Sequence, residues 1–247
     1  MGLKKNGGNN FLKVLAFDTA TTFCSIVVWH NQKILAEQRK AIDRGHAEVL
    51  VPLIEATLLE AKLNYQELDL LAVTTGPGAF TGLRIGLATA RSLALVCDLP
   101  LIGITNFEAL ANAIPRTDRR GYKILIVLET KRSDFYICLY DENLAVLIEP
   151  QTIEGPDLEL LVKNFRLLIA GDAIERALPF VAFPNVKIVE STVGSYVNPA
   201  VVAKLAEGKI SSGSQINKPL PFYLKPPDVK LPNKVESINL KKIDGAK

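Results

Sequence analysis

At 247 residues, with 48% apolar and 22% charged side chains, the chain has the balance of a folded globular protein and room for two modest cores. A formal charge of +3 is far too small for a surface that tracks nucleic-acid phosphates, so direct nucleic-acid binding is not predicted. The three cysteines, Cys24, Cys97 and Cys138, are odd in number and each lies in an apolar run, so neither a disulfide framework nor a zinc motif follows.

Residues 1–10 carry Gly7-Gly8-Asn9-Asn10 and are expected to be a disordered N-terminus; Asn6 stands where a myristoylation signal wants Ser or Thr. The apolar stretch 11–17 is broken by Lys13 and closed by Asp18, which suits neither a signal peptide nor a membrane span, and the expected compartment is the cytoplasm. Apolar runs at 12–17, 23–29 and 34–36, with His30-Asn31-Gln32 as a turn, predict three antiparallel strands. A helix over 46–63, a buried strand over 68–74, a second helix over 81–97 and a strand over 101–104 follow. The order is βββαβαβ.

After Pro115 that order returns. Strands are predicted at 122–128, 135–140 and 145–148, a short helix at 157–163, strands at 167–170 and 186–189, and a helix at 199–207. Two copies of one βββαβαβ unit predict an α/β fold of two ribonuclease-H-like lobes, the actin and Hsp70-type arrangement. The expected division is 11–112 for the first lobe, 113–210 for the second, and 211–247 for an extended tail rich in proline (Pro219, Pro221, Pro226, Pro227, Pro232) with mobile last residues.

The segment Thr74-Thr75-Gly76-Pro77-Gly78-Ala79-Phe80-Thr81-Gly82-Leu83-Arg84-Ile85-Gly86 reads as a strand end, a glycine turn and a helix start, with Thr81 placed to cap the helix. Free amides there suit an anion; a plain strand-to-helix turn is the competing reading. Within the helix, Gly82, Gly86, Ala90 and Ala94 recur every fourth residue and make a smooth stripe for close helix packing. Leu83, Leu87, Leu93, Leu95 and Val96 make the same helix apolar on a second side. The helix before it is also over-supplied, with Val49, Leu50, Val51, Leu53, Ile54, Leu58, Leu59 and Leu63 exceeding one stripe of about 100°. Either an intermolecular helix bundle or cover by the second lobe or the tail accounts for the surplus.

These residues resemble the TsaB (YeaZ-like) family. The resemblance rests on Phe17-Asp18-Thr19-Ala20-Thr21, Gly45-His46, the run from Thr75 to Ala94, Pro100-Leu101-Ile102-Gly103-Ile104 with Glu108-Ala109-Leu110-Ala111, and Tyr223-Leu224-Lys225-Pro226-Pro227-Asp228. It implies a non-catalytic scaffold that pairs with the TsaD transferase, or with itself when alone, in making threonylcarbamoyladenosine in tRNA. TsaE is the third protein, an ATPase. ATP and metal are then expected on the partners and not on this chain, with tRNA met only through the complex and no membrane involved. The resemblance places the partner contacts on the helices 46–63 and 81–97, through Leu50, Ile54, Thr57 and Leu58 on one and Gly82, Leu83, Gly86, Leu87, Ala90, Leu93 and Ala94 on the other.

Searches for catalytic groups find none. TsaD-like relatives carry two histidines four apart on the helix after the fifth strand, spacing that turns both toward one metal. The matching stretch here, Thr105-Asn106-Phe107-Glu108-Ala109-Leu110-Ala111, has no histidine, and His30 and His46 are expected in surface or capping roles. There is no nucleophile elbow and no Walker loop. The alternative is an actin-like or sugar-kinase-like phosphotransferase that uses Asp18, with Thr19, Thr21, Gly76 and Gly78 as candidate cofactor contacts. Against it, the equivalent turn of the second lobe is Glu129-Thr130-Lys131-Arg132, without the Asp and Gly of such a phosphate loop. Arg116, Arg119, Arg120, Lys123, Lys131 and Arg132 form a loosely basic region at the lobe junction, either a solvated connection or a contact for tRNA or an acidic partner.

Overall fold

Strand β1 (Val14–Asp18) is buried along its whole length, which is why it reads as an unbroken apolar run: helices cover both faces of its sheet. The computed structural model describes residues 11–42, 45–181, 184–188, 196–213 and 218–225. The expected disordered stretch 1–10, Val189, the tail prolines Pro226, Pro227 and Pro232, and Asp228 lie outside the described residues.

The first unit continues with β2 (Phe23–His30), β3 (Lys33–Ala41), α1 (His46–Glu60), β4 (Leu70–Thr74), α2 (Phe80–Val96) and β5 (Leu101–Ile104). Short helices α3 (Asn106–Ala113) and α4 (Arg116–Arg119) lead to the second unit. It runs β6 (Lys123–Glu129), β7 (Phe135–Tyr140), β8 (Val146–Ile153), α5 (Gly155–Val162), β9 (Leu167–Ala170), α6 (Ile174–Val181) and β10 (Val186–Ile188), and α7 (Pro199–Ser211) follows. The sheets are ordered β3-β2-β1-β4-β5 and β8-β7-β6-β9-β10, the same topology twice. In each, the first three strands form an antiparallel meander and the last two run parallel to the first. The two ribonuclease-H-like lobes expected from the repeated order are therefore present.

Differences from the sequence reading follow local rules. Edge strands β3 and β8 outrun their apolar stretches, because pairing with β2 and β7 carries the ladder through polar residues such as Arg39 and Gln151. Helix α1 stops before residue 63: Ala61 is its C-cap, and Lys62 takes a left-handed turn at φ 55°. Helix α6 supplies the second helix that the βββαβαβ order requires between β9 and β10, a position the residue pattern leaves unassigned, with Pro179 inside it.

Three apolar clusters make five layers. One cluster packs α1 and α2 on the outer face of the first sheet, and one packs α5 and α6 on the outer face of the second. Between the sheets, Ala16, Ala72 and Ile104 from the first and Ile124, Ile126 and Leu168 from the second meet α3 and α7. Helix α7, which sequence order puts with the second lobe, thus lies on the first sheet. Its Glu207, 6% exposed, accepts hydrogen bonds from Trp29 Nε1 (3.2 Å), Gln32 Nε2 (2.8 Å) and the Leu12 amide (3.3 Å), which satisfies a buried carboxylate and fixes the helix register.

Candidate interlobe cleft and partner-facing helices

The turn after β1 faces the turn after β6 across a small cleft. On the first side Asp18 is fully buried, and all its bonds are internal. Oδ1 accepts from Thr74 Oγ1 (2.5 Å) and the Ala20 amide (3.0 Å), and Oδ2 accepts from Thr21 Oγ1 (2.7 Å). Burial pushes the Asp18 carboxyl above its ordinary range, and the bonds from Thr74, Thr21 and Ala20, together with nearby His46, offset part of that rise. Thr19 is equally enclosed and donates to the Gly82 carbonyl at 2.8 Å.

The glycine turn fits tightly under these residues. Gly76 has φ 96°, and a Cβ on Gly78 would stand 2.3 Å from the Ala20 carbonyl oxygen. The Ala79 amide is taken by that same carbonyl at 2.8 Å, and Pro77 has none to give, so two positions of the proposed anion cradle offer no free donor. Thr81 does not cap α2: the N-cap is Ala79, two residues earlier, with no side-chain bond. His46 is neither a surface residue nor a capping group. It is the first residue of α1, buried, with Nε2 unbonded among the described residues.

A cleft of about 10 Å³ separates the turns, far below the range of roughly 300–1,000 Å³ usual for small-molecule sites. Of the five candidate cofactor residues only Thr21 and Gly78 line it; Asp18, Thr19 and Gly76 lie behind. Its second wall is Glu129 and Asp172, with Asp172 Oδ1 accepting from the Glu129 amide at 2.9 Å. Arg176, which no sequence motif signalled, fills the turn after β6. It grips Glu129 through Nε–Oε1 (3.0 Å) and Nη2–Oε2 (3.1 Å) and donates to the carbonyls of Arg132, Ser133 and Asp134. A second missed residue is Asn106, the first of α3, which is 1% exposed. Its Nδ2 donates to the Pro77 carbonyl at 2.8 Å, and its Oδ1 has no partner among the described residues. Asn106 and Leu110, one helical turn apart, are what α3 shows to the cleft. Among the described residues no group of three His, Cys, Asp or Glu is placed to hold a metal ion.

The small-residue stripe of α2 faces inward. A Cβ on Gly82 would come 2.0 Å from the Thr19 carbonyl oxygen, and one on Gly86 would come 2.3 Å from Thr19 Oγ1. Leu83, Leu87 and Ala90 are buried in the same cluster as Leu50, Ile54 and Leu58 of α1; Thr57 is buried beside them, and Leu93 and Ala94 are half-buried. Nine of the eleven residues expected at a partner seam are thus buried within this chain, with the α2 backbone at Gly82 and Gly86 against the chain's own β1–β2 turn, while Leu93 and Ala94 stay half-buried. The outward faces instead show Val51, Leu59, Leu95 and Val96, the last three at 80%, 83% and 82% exposure.

The basic region is also divided. Arg116, Arg119 and Arg120 lie just before β6 with Lys123 at its start, while Lys131 and Arg132 follow its end, about 20 Å away at the rise of a strand. No helix among the described residues is long and apolar enough to cross a membrane.

Comparison with known proteins points one way. Residues 33–167 match the family model described as TsaD, tRNA N6-adenosine threonylcarbamoyltransferase. The tRNA threonylcarbamoyladenosine biosynthesis protein TsaB of Escherichia coli is 31% identical over 134 residues, 53% of this chain and 57% of that protein. The chain thus spans little more than half the length of such curated relatives. An uncharacterized protein of Mycobacterium bovis is 31% identical over 223 residues, 88% of this chain and 93% of its own. Among solved structures, YeaZ from Pseudomonas aeruginosa superposes with a TM-score of 0.70 at 20% identity, over 86% of this chain and all of that one, which establishes the shared fold.

Proposed function

The chain belongs to the TsaB (YeaZ-like) family, within the wider group the TsaD model describes, and we propose that it is the non-catalytic scaffold subunit of threonylcarbamoyladenosine synthesis in tRNA. Its partner in this reading is a TsaD-type transferase, met through the outward faces of α1 and α2, with a TsaE-type ATPase completing the set in the cytoplasm. The observation that carries the proposal is the exposure of Leu59, Leu95 and Val96 on two adjoining helices, large apolar side chains on a surface that a monomer gains nothing by showing. The same face serves self-association when the partner is absent.

The chemistry of the cleft favours a supporting role over a catalytic one. Asp18 has every oxygen bonded by the protein itself, and Arg176 occupies the turn where a second phosphate loop would lie. Both features disfavour the alternative, an actin-like or sugar-kinase-like phosphotransferase using Asp18, Thr19, Thr21, Gly76 and Gly78. ATP and metal are assigned to the partners, and tRNA is reached through the complex.

Reconstitution tests the proposal. Unmodified tRNA, threonylcarbamoyl-adenylate and the TsaD-type and TsaE-type proteins of the same organism are combined with and without this chain, and modified adenosine is counted. Product that depends on the chain is the expected result. Equal product without it overturns the scaffold reading, and heat of ATP–magnesium binding to the isolated chain in calorimetry would favour the alternative.

A further inference from the structure

The segment 218–225 runs past both lobes. Pro219 is buried against β5, where a Cβ on Gly103 would come 2.8 Å from its Cβ, and its carbonyl accepts from the Arg91 guanidinium. The Phe222 amide donates to the Thr75 carbonyl at 2.8 Å, at the end of β4. Arg84 Nε donates to the Tyr223 hydroxyl at 3.0 Å, its guanidinium lies 3.6 Å from the centroid of Phe80, and the Phe80 and Tyr223 rings are 5.4 Å apart. These attachments are all to the first lobe.

The next contact is to the second. Lys225 Nζ pairs with Oδ2 of Asp134, the residue just before β7. Asp134 is 4% exposed, and its Oδ1 accepts no hydrogen bond among the described residues, so Lys225 is the cation that balances a nearly buried carboxylate. The Asp134 carbonyl accepts from Thr130 Oγ1 (2.7 Å) and Arg176 Nη2 (2.8 Å), and Arg176 is the side chain that holds Glu129 on the cleft wall. A continuous polar path therefore joins the segment to the cleft.

We propose that 218–225 is a clasp that fixes the two lobes relative to each other, with the Lys225–Asp134 pair as its catch. The apolar core shared by the sheets holds them together without direction, whereas the clasp ties the Gly76 turn and the β6–β7 turn at defined points. Release of Lys225 leaves the Asp134 carboxylate uncompensated, so Asp134 must move toward water and carries the Arg176–Glu129 pair with it. Cleft width and clasp occupancy then change together. This inference does not depend on the scaffold reading.

Amide hydrogen exchange on the full chain tests it, comparing wild type with Lys225→Gln, Lys225→Arg and Tyr223→Ala. Lys225→Gln is expected to raise exchange about tenfold in both 75–80 and 129–134 while α1 and α5 keep wild-type rates, and Lys225→Arg to restore protection. The decisive variant is Tyr223→Ala, which cuts the clasp at the first lobe and touches nothing in the second. A clasp transmits that cut to 129–134. Exchange raised only in 75–84 and 218–225, or a Lys225→Gln variant with wild-type rates in both turns, overturns the proposal. If Tyr223→Ala lowers global stability, Tyr223→Phe removes only the bond to Arg84 and carries the same expectation at smaller size.

Discussion

Gly82 shows how one missing methyl can decide a fold. Alanine in a helix interior is ordinarily better than glycine by about 1 kcal/mol. Here the added Cβ would meet a backbone oxygen at 2.0 Å, and backbone gives way less easily than the end of a side chain. Gly82→Ala is therefore expected to destabilise the protein by about 2–3 kcal/mol in denaturant unfolding, a result at the costly end of overpacking. A neutral or stabilised variant would show that α2 does not seat on the β1–β2 turn. Asp18 gives a second residue-scale expectation through its raised carboxyl. A folded-state value above the unfolded one means that the folded protein holds the proton more tightly, so the contribution of Asp18 is present below pH 3.8, the unfolded value, and falls as pH rises through the folded value. Asp18→Asn lacks this titration, and the melting temperature of wild type minus that of the variant should decrease as pH rises from about 3.5 toward neutrality. A constant difference would mean that Asp18 titrates normally.

Helices α1 and α2 carry the functional proposal at the next scale. Leu95→Glu, on the outward face, is expected to leave thermal stability within about 0.5 kcal/mol of wild type and to weaken partner binding in calorimetry. Ala90→Glu, fully buried, should instead unfold the protein, because a carboxylate in that cluster has neither water nor a partner. Unchanged binding by a folded Leu95→Glu protein would remove the outward face from the interface. The excess of apolar residues on both helices was legible in the sequence, since a count against one stripe suffices. Which side faced out was not. A small-residue stripe is the same string whether it admits another molecule's helix or the chain's own turn, and only the approach of Thr19 to Gly82 and Gly86 distinguishes the two. The residues of helix α6, Arg176 among them, were illegible for a related reason: Pro179 masks the helix, and a guanidinium's function depends on carbonyls brought to it from 43 residues earlier in the chain at Ser133.

Across the whole molecule, the middle core belongs to both sheets, and α7 crosses to the first sheet to complete it. Unfolding should accordingly be one transition. The single tryptophan, Trp29, sits at the α7 contact through Glu207, so its fluorescence and the far-UV circular dichroism are expected to give the same midpoint; two separated transitions would show lobes that fold independently. The strands of both lobes, their repeated order and the family resemblance were determined by sequence alone, because period, turn residues and short motifs are local properties of the chain. Tertiary structure decided which face of α2 is inside, that Asp18 is closed by its own neighbours, that Arg176 and Asn106 stand at the cleft, and that the basic residues around β6 form two groups. Each of these depends on residues far apart in sequence meeting at distances of a few ångströms, and the chain's local pattern carries no record of such meetings.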